Sequence, residues 1–112
     1  MIDHHQIEEL KKLAVATSSN LVQEIFDLYL ESASSSINKI KSGLSLNNVL
    51  EIQRAAHGLK GSSANVGAKE IAHLCTQVEN LARTNDLARM GVLIPELERV
   101  FEATRLELNS LR

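Results

Sequence analysis

"AAHGLKGSSANVGA", residues Ala55–Ala68, decides how this chain is read. A histidine stands there among alanines, serines and glycines, yet the apolar spacing is helical. On a helix of about 100° per residue, Ile52, Ala55, Ala56, Leu59, Ser62, Ser63 and Val66 share one side. That side reads as core, and its small residues let neighbouring helices come close. The opposite side carries Leu50, Gln53, Arg54, His57, Lys60, Gly61 and Ala64, with His57 near its middle. Glycine in a helix interior costs about 1 kcal/mol relative to alanine. Gly58 and Gly61 therefore need a reason, and close approach by another surface supplies one.

Working outward, the same i, i+3, i+4 recurrence of apolar residues marks helices along the whole chain. Asn48 and Glu51 have capping-box spacing and open the central helix, which runs to a turn around Asn65–Gly67. Before it, a helix is expected from the "TSSN" cap candidates at 17–20 to about Ser42. Its apolar side carries Val22, Ile25, Phe26, Tyr29, Ala33, Ile37 and Ile40, and Gly43 is expected to end it in the left-handed conformation. After the turn, Ile71, Leu74, Cys75, Val78, Leu81 and Ala82 form a further stripe that "RTND" closes. The last helix places Met90, Ile94, Leu97, Phe101, Thr104, Leu108 and Leu111 on one side. Pro95, which cannot donate to the carbonyl of Gly91, predicts a kink or restart near 91–95.

At the start, "MIDHHQIEELKKLA" reads as a short helix over about 3–16, with Ile7, Leu10, Leu13 and Ala14 on one side. Asp3 with Gln6 has the capping-box spacing, and Ile2 with Ile7 that of a hydrophobic staple. Short connections make successive helices antiparallel. The expected fold is all-α: an up-and-down antiparallel four-helix bundle over about 19–112, with the short N-terminal helix laid against it. Residues 1–112 form one domain.

Composition agrees. The 112 residues can close one core, and with aromatics at only 3% the core is aliphatic, which favours helices over a sandwich or barrel. A net charge of −2 argues against nucleic acid as partner. No apolar run is long enough to insert in a membrane, and the start has no signal-peptide pattern. The single cysteine, Cys75, reads as a buried core thiol in a reducing compartment, so the cytoplasm is the expected location.

An exposed imidazole with Lys60 one turn on and Arg54 one turn before suits a nucleophile that accepts and gives up a phosphoryl group. Histidine ordinarily exchanges its proton near neutral pH, so a neutral ring is available to attack. Lys60 offsets charge on the equatorial oxygens, and Gly58, Gly61 and Ala64 keep the surface low. A solvated polar face is the alternative that the residues by themselves leave open.

At these positions the sequence resembles the signature of histidine-containing phosphotransfer (HPt) domains, roughly A-H-x-L-K-G-S-S-x-x-x-G-A. His57, Leu59, Lys60, Gly61, Ser62, Ser63, Gly67 and Ala68 match it. "IAHLCTQVENLA" continues the likeness through the family's L-C-x-x-[LV]-E run. The departure at Val66, where Leu or Ile is common, is conservative. The resemblance implies a phosphorelay carrier: His57 is phosphorylated on the ring nitrogen distal to the backbone, Lys60 assists, and Gly61 gives clearance. The implied partners are receiver domains of response regulators and of hybrid sensor kinases, which bring the acidic pocket and the Mg²⁺. No cofactor or metal is expected on this chain. Arg54 and Lys60 would face that acidic pocket. Leu50, Gln53 and Gln77 are further docking candidates, with solvated surface the alternative for Gln53, Arg54 and Gln77, and packing against the preceding loop for Leu50.

Competing readings fare less well. A docking module that carries no phosphate is disfavoured by the intact His57–Lys60–Gly61 set. A kinase dimerisation domain would show an acidic residue after the histidine, where Gly58 stands, and a nucleotide site with Gly-rich loops, of which the sequence has none. The chain is therefore not expected to be an enzyme with an ATP site. A metal-binding bundle needs Glu-x-x-His pairs facing the interior. His73 follows Glu70 at that spacing but lies off the core stripe, and Cys75 falls on a different side from it. His4 and His5 read as solvated. A monomer is expected, either free-standing or a piece of a hybrid kinase.

Overall fold

The computed structural model describes residues 2–9 and 21–111. A helical stretch at 4–9 (α1) is followed by α2 (Leu21–Ser45), α3 (Val49–Asn65), α4 (Lys69–Arg83) and α5 (Leu87–Ser110). The four long helices pack in a ring in which α2 touches α3, α3 touches α4, α4 touches α5, and α5 closes on α2. Connections this short reverse the chain each time, giving the expected antiparallel bundle, with extents of 46 × 19 × 19 Å. Leu10, Leu13, Ala14 and the "TSSN" caps lie outside the described residues.

The apolar stripes become the core. Phe26, Ile40, Ile52, Leu59, Ile71, Val78, Met90, Leu97 and Leu108 are fully buried, and Val100 joins them without having been expected. Ile25, Leu81, Phe101 and Leu111 are only partly covered and pack at its edge. Ser63 and Thr104 are buried polar residues with internal partners. The Ser63 hydroxyl pairs with Tyr29 Oη at 2.8 Å, joining α2 to α3, and Thr104 Oγ1 donates to the Val100 carbonyl at 2.8 Å. A satisfied hydroxyl is tolerated in a core where an orphaned one is not.

Three local expectations need correction. Gly43 does not end α2: the helix continues to Ser45, and the positive φ, 55°, falls on Asn47, a residue that tolerates the left-handed region. Gly43 is buried because α3 starts against it. Asn48 N–H donates to its carbonyl at 2.8 Å, and a Cβ there would stand 2.7 Å from Ile52 Cγ1. Its role is close approach between helices.

Of the kink or restart expected near Pro95, the restart is absent: α5 runs through the proline without a break. Gly91, which loses the hydrogen bond, and Pro95 itself are both on the exposed side, where water can serve the freed carbonyl. Asp86 caps this helix through the N–H of Arg89 at 3.1 Å.

The capping box at the start is half-formed. Asp3 Oδ1 accepts from the N–H groups of His5 (3.1 Å) and Gln6 (3.4 Å), but the Gln6 side chain donates instead to the Asn65 carbonyl at the end of α3. Asp3 N–H donates to the Gly67 carbonyl at 2.8 Å, and Lys69 Nζ lies 3.0 Å from Asp3 Oδ2. With Ile2 and Ile7 buried, this segment is fastened to the α3–α4 turn, where Gly67 takes φ 80°.

Candidate functional site

Asn48 caps α3, its side chain accepting from Glu51 N–H at 3.2 Å, and this sets the register of everything downstream on that helix. Ile52, Ala55, Ala56, Leu59 and Ser63 turn inward. Leu50, Arg54, His57, Gly58, Gly61 and Ala64 are exposed, and Gln53 and Lys60 are partly so. The His57 side chain is 71% exposed, on the outer face as expected.

Its ring is held from the neighbouring helix by Glu79, whose Oε2 is 3.2 Å from His57 Nδ1. Lys60 Nζ lies 2.8 Å from the other oxygen, Oε1. Glu79 is only 10% exposed. It sits on the α3 edge of the α4 stripe, four residues after Cys75, and a carboxylate buried there requires partners. Burial pushes its pKa up, but hydrogen bonding and charge from Lys60 and His57 outweigh this and hold it below the ordinary carboxylate value.

The tautomer follows. An ionised carboxylate only accepts hydrogen bonds, so His57 Nδ1 carries the proton and donates it to Glu79. The lone pair is then on Nε2, the nitrogen directed away from Glu79. The arrangement fixes both the ring's orientation and which nitrogen is nucleophilic.

Glu79 is the residue that sequence reasoning missed. The L-C-x-x-[LV]-E run ends on it, yet the sequence reading assigns it no role. The available signal was a glutamate spaced within an apolar stripe, one turn after Cys75. Cys75 itself is fully buried, as expected, and burial, followed by the Glu79 charge, pushes its thiol up to about 12.

Leu50, Gln53, Arg54, His57 and Glu79 line one open groove of about 310 Å³. Gln77 does not belong to it. Standing two residues before Glu79, it is rotated about 200° around α4. It lines a different groove, of about 450 Å³, between α4 and α5, with Leu81, Val92 and Leu93. Among the described residues, a Cβ on Gly58 or Gly61 would meet nothing within 4 Å, so no packing between them requires either glycine. Ile25 and exposed Leu28 of α2 line a further groove with Ser62 and Asn65 of α3, also unforeseen.

His73 is exposed, with Nε2 3.4 Å from Gln77 Nε2, and His4 and His5 are largely solvated. Among the described residues, no three His, Cys, Asp or Glu side chains gather where they could hold a metal ion, and no helix is long and apolar enough to cross a membrane.

The family model of the Hpt domain matches residues 24–107. Over 109 residues the chain is 25% identical to Histidine-containing phosphotransfer protein 2 of Arabidopsis thaliana, covering 95% of this chain and 70% of that protein. It is 22% identical over 98 residues to the Phosphorelay protein LuxU of Vibrio harveyi, with coverages of 88% and 86%. Histidine-containing phosphotransfer protein 5 of Arabidopsis thaliana is 32% identical over 74 residues, where the match spans 47% of its length. Among solved structures, histidine-containing phosphotransfer protein B from Pseudomonas aeruginosa PAO1 superposes with a TM-score of 0.88 at 23% identity, over 97% of this chain and 91% of that one. The maize Histidine-containing Phosphotransfer Protein gives 0.81 at 22%, over 93% and 86%. At these identities the structural likeness establishes the fold.

Proposed function

This chain belongs to the Hpt domain family, and on that premise we propose that it is a phosphoryl carrier in a multistep phosphorelay, with His57 as the acceptor. The donor is a phosphorylated aspartate of one receiver domain, as in a hybrid sensor kinase, and the recipient is an aspartate of another, in a response regulator.

The observation that carries this reading is the hydrogen bond from His57 Nδ1 to Glu79. With Nδ1 protonated, Nε2 attacks the phosphorus in line; the P–Nε2 bond forms as the P–O bond to the donor carboxylate breaks, and the aspartate leaves as an anion. The ring, now bearing positive charge, keeps its Nδ1 proton against the Glu79 carboxylate. The return step reverses each of these changes, so the carrier works in both directions. Lys60 assists through Glu79: paired with the other carboxylate oxygen, it keeps that group ionised against the Nδ1 proton. Mg²⁺ belongs to the receiver's acidic pocket, and this chain brings neither metal nor nucleotide and has no kinase activity of its own.

The docking face comprises Leu50, Gln53, Arg54, Gly58, Gly61 and Ala64, all on the His57 side of α3. We place the carrier in the cytoplasm as a monomer. Incubation with a phosphorylated receiver domain and Mg²⁺ tests the reading. Acid-labile, alkali-stable phosphate on the wild type and none on folded His57→Gln is the expected result. Binding without transfer would reduce the chain to a docking module.

A further inference from the structure

Two cations flank His57 on α3, and they are in different states. Lys60 is committed: its ammonium lies 2.8 Å from Glu79 Oε1, and its charge is balanced by that carboxylate. Arg54 is exposed, and among the described residues no ion pair or side-chain hydrogen bond engages it. It nevertheless lines the groove that opens on the imidazole, together with Leu50, Gln53 and Glu79. Arg83, on the facing helix, is tied to Asn80.

We propose that Arg54 is a phosphoryl-binding residue: its guanidinium takes the equatorial oxygens of the arriving group while Lys60 stays with Glu79. This rests on the reading of His57 as acceptor. Side chains three apart on a helix stand about 5–6 Å apart at Cβ, so the long arginine stem reaches a group held at Nε2. A phosphoryl group brings close to two negative charges and three acceptor oxygens, and the planar fork matches two of those oxygens at once. Were Lys60 to leave instead, Glu79, nearly buried, would keep only the ring as partner. Arg54 leaves nothing unpaired when it turns to the ligand.

Phosphoramidate tests this without any receiver. Nε2 attacks its phosphorus, the P–N bond to ammonia breaks, ammonia departs, and the Nδ1 proton stays in place. Labelling is followed by ³¹P NMR across donor concentrations, so that the apparent affinity and the maximal rate separate. Wild type labels and His57→Gln does not. Arg54→Gln labels at least about fivefold more slowly at low donor, through weakened affinity, and Arg54→Lys recovers part of the loss, as a charged hydrogen-bonding site requires. The melting temperature of Arg54→Gln stays within about 3 °C of wild type, as for an exposed substitution. Arg54→Gln labelling like wild type while Lys60→Gln loses the reaction would overturn the assignment and leave the His57 reading standing. A wild type that does not label would overturn both.

Discussion

Glu79 Oε2 lies 3.2 Å from His57 Nδ1, so a nearly buried carboxylate on α4 orients an exposed imidazole on α3. Glu79→Gln keeps an acceptor for the Nδ1–H and removes the charge; Glu79→Ala removes both. We expect Glu79→Ala to lower phosphoryl transfer about 10–100-fold, the range known for metal-bound histidines that lose the partner orienting them, and Glu79→Gln to cost less. The ¹⁵N shifts of the His57 ring check the cause: the Nδ1–H tautomer should persist in the glutamine variant and mix in the alanine variant.

Acid should weaken the fold through the same residue. The Glu79 carboxyl lies below its ordinary value of 4.5 because Lys60 and His57 outweigh the effect of burial. A depressed folded-state pKa contributes stability that is complete above the unfolded value and is lost as the pH falls through the folded one. Asp3, lowered chiefly by its hydrogen bond with Lys69, acts in the same direction. Urea unfolding between pH 7 and pH 3 should show stability falling below about pH 4.5, with a shallower acid limb in Glu79→Gln. An unchanged limb in that variant would show that Glu79 has no special partners in solution.

The glycines should separate by role. A Cβ on Gly43 would crowd Ile52 Cγ1 at 2.7 Å and the Asn48 carbonyl at 3.1 Å, whereas one on Gly61 meets nothing within 4 Å. Gly43→Ala should therefore destabilise the protein by about 1–3 kcal/mol through overpacking. Gly61→Ala should stabilise it by up to about 1 kcal/mol through helix propensity. Gly61→Arg should fold as well as wild type and slow transfer from a receiver. Thermal melts paired with transfer rates check all three, and a fast Gly61→Arg would remove the clearance argument.

Much of this was legible because helices announce themselves locally. The period of the apolar residues, the Asn48 cap and the Asn65–Gly67 turn are each set by neighbours in sequence, and all lie where the spacing predicts. What was not legible depends on contacts between distant segments. Gly43 looked like a helix end because glycine favours reversals, but its use is decided by Ile52 across the interface. Gln6 looked like half of a capping box, but the Asp3 N–H it would accept from goes to the Gly67 carbonyl, and its amide donates to Asn65. Gln77 and Glu79, two residues apart, face opposite edges of α4, and only the position of α3 tells which edge bears on His57. The outer face of α3 could be read from a single helix; the residue that holds His57 in place belongs to another.

Cys75 gives the α3–α4 seam a clock. It sits one turn before Glu79, fully buried, with its thiol pushed up to about 12, so a thiol reagent finds neither access nor thiolate while the bundle is closed. Modification has to wait for an opening that exposes the sulfur, and an opening of α4 away from α3 also parts the seam through which Glu79 reaches His57. The lifetime of the unmodified cysteine thus times the seam on which the ring's orientation depends.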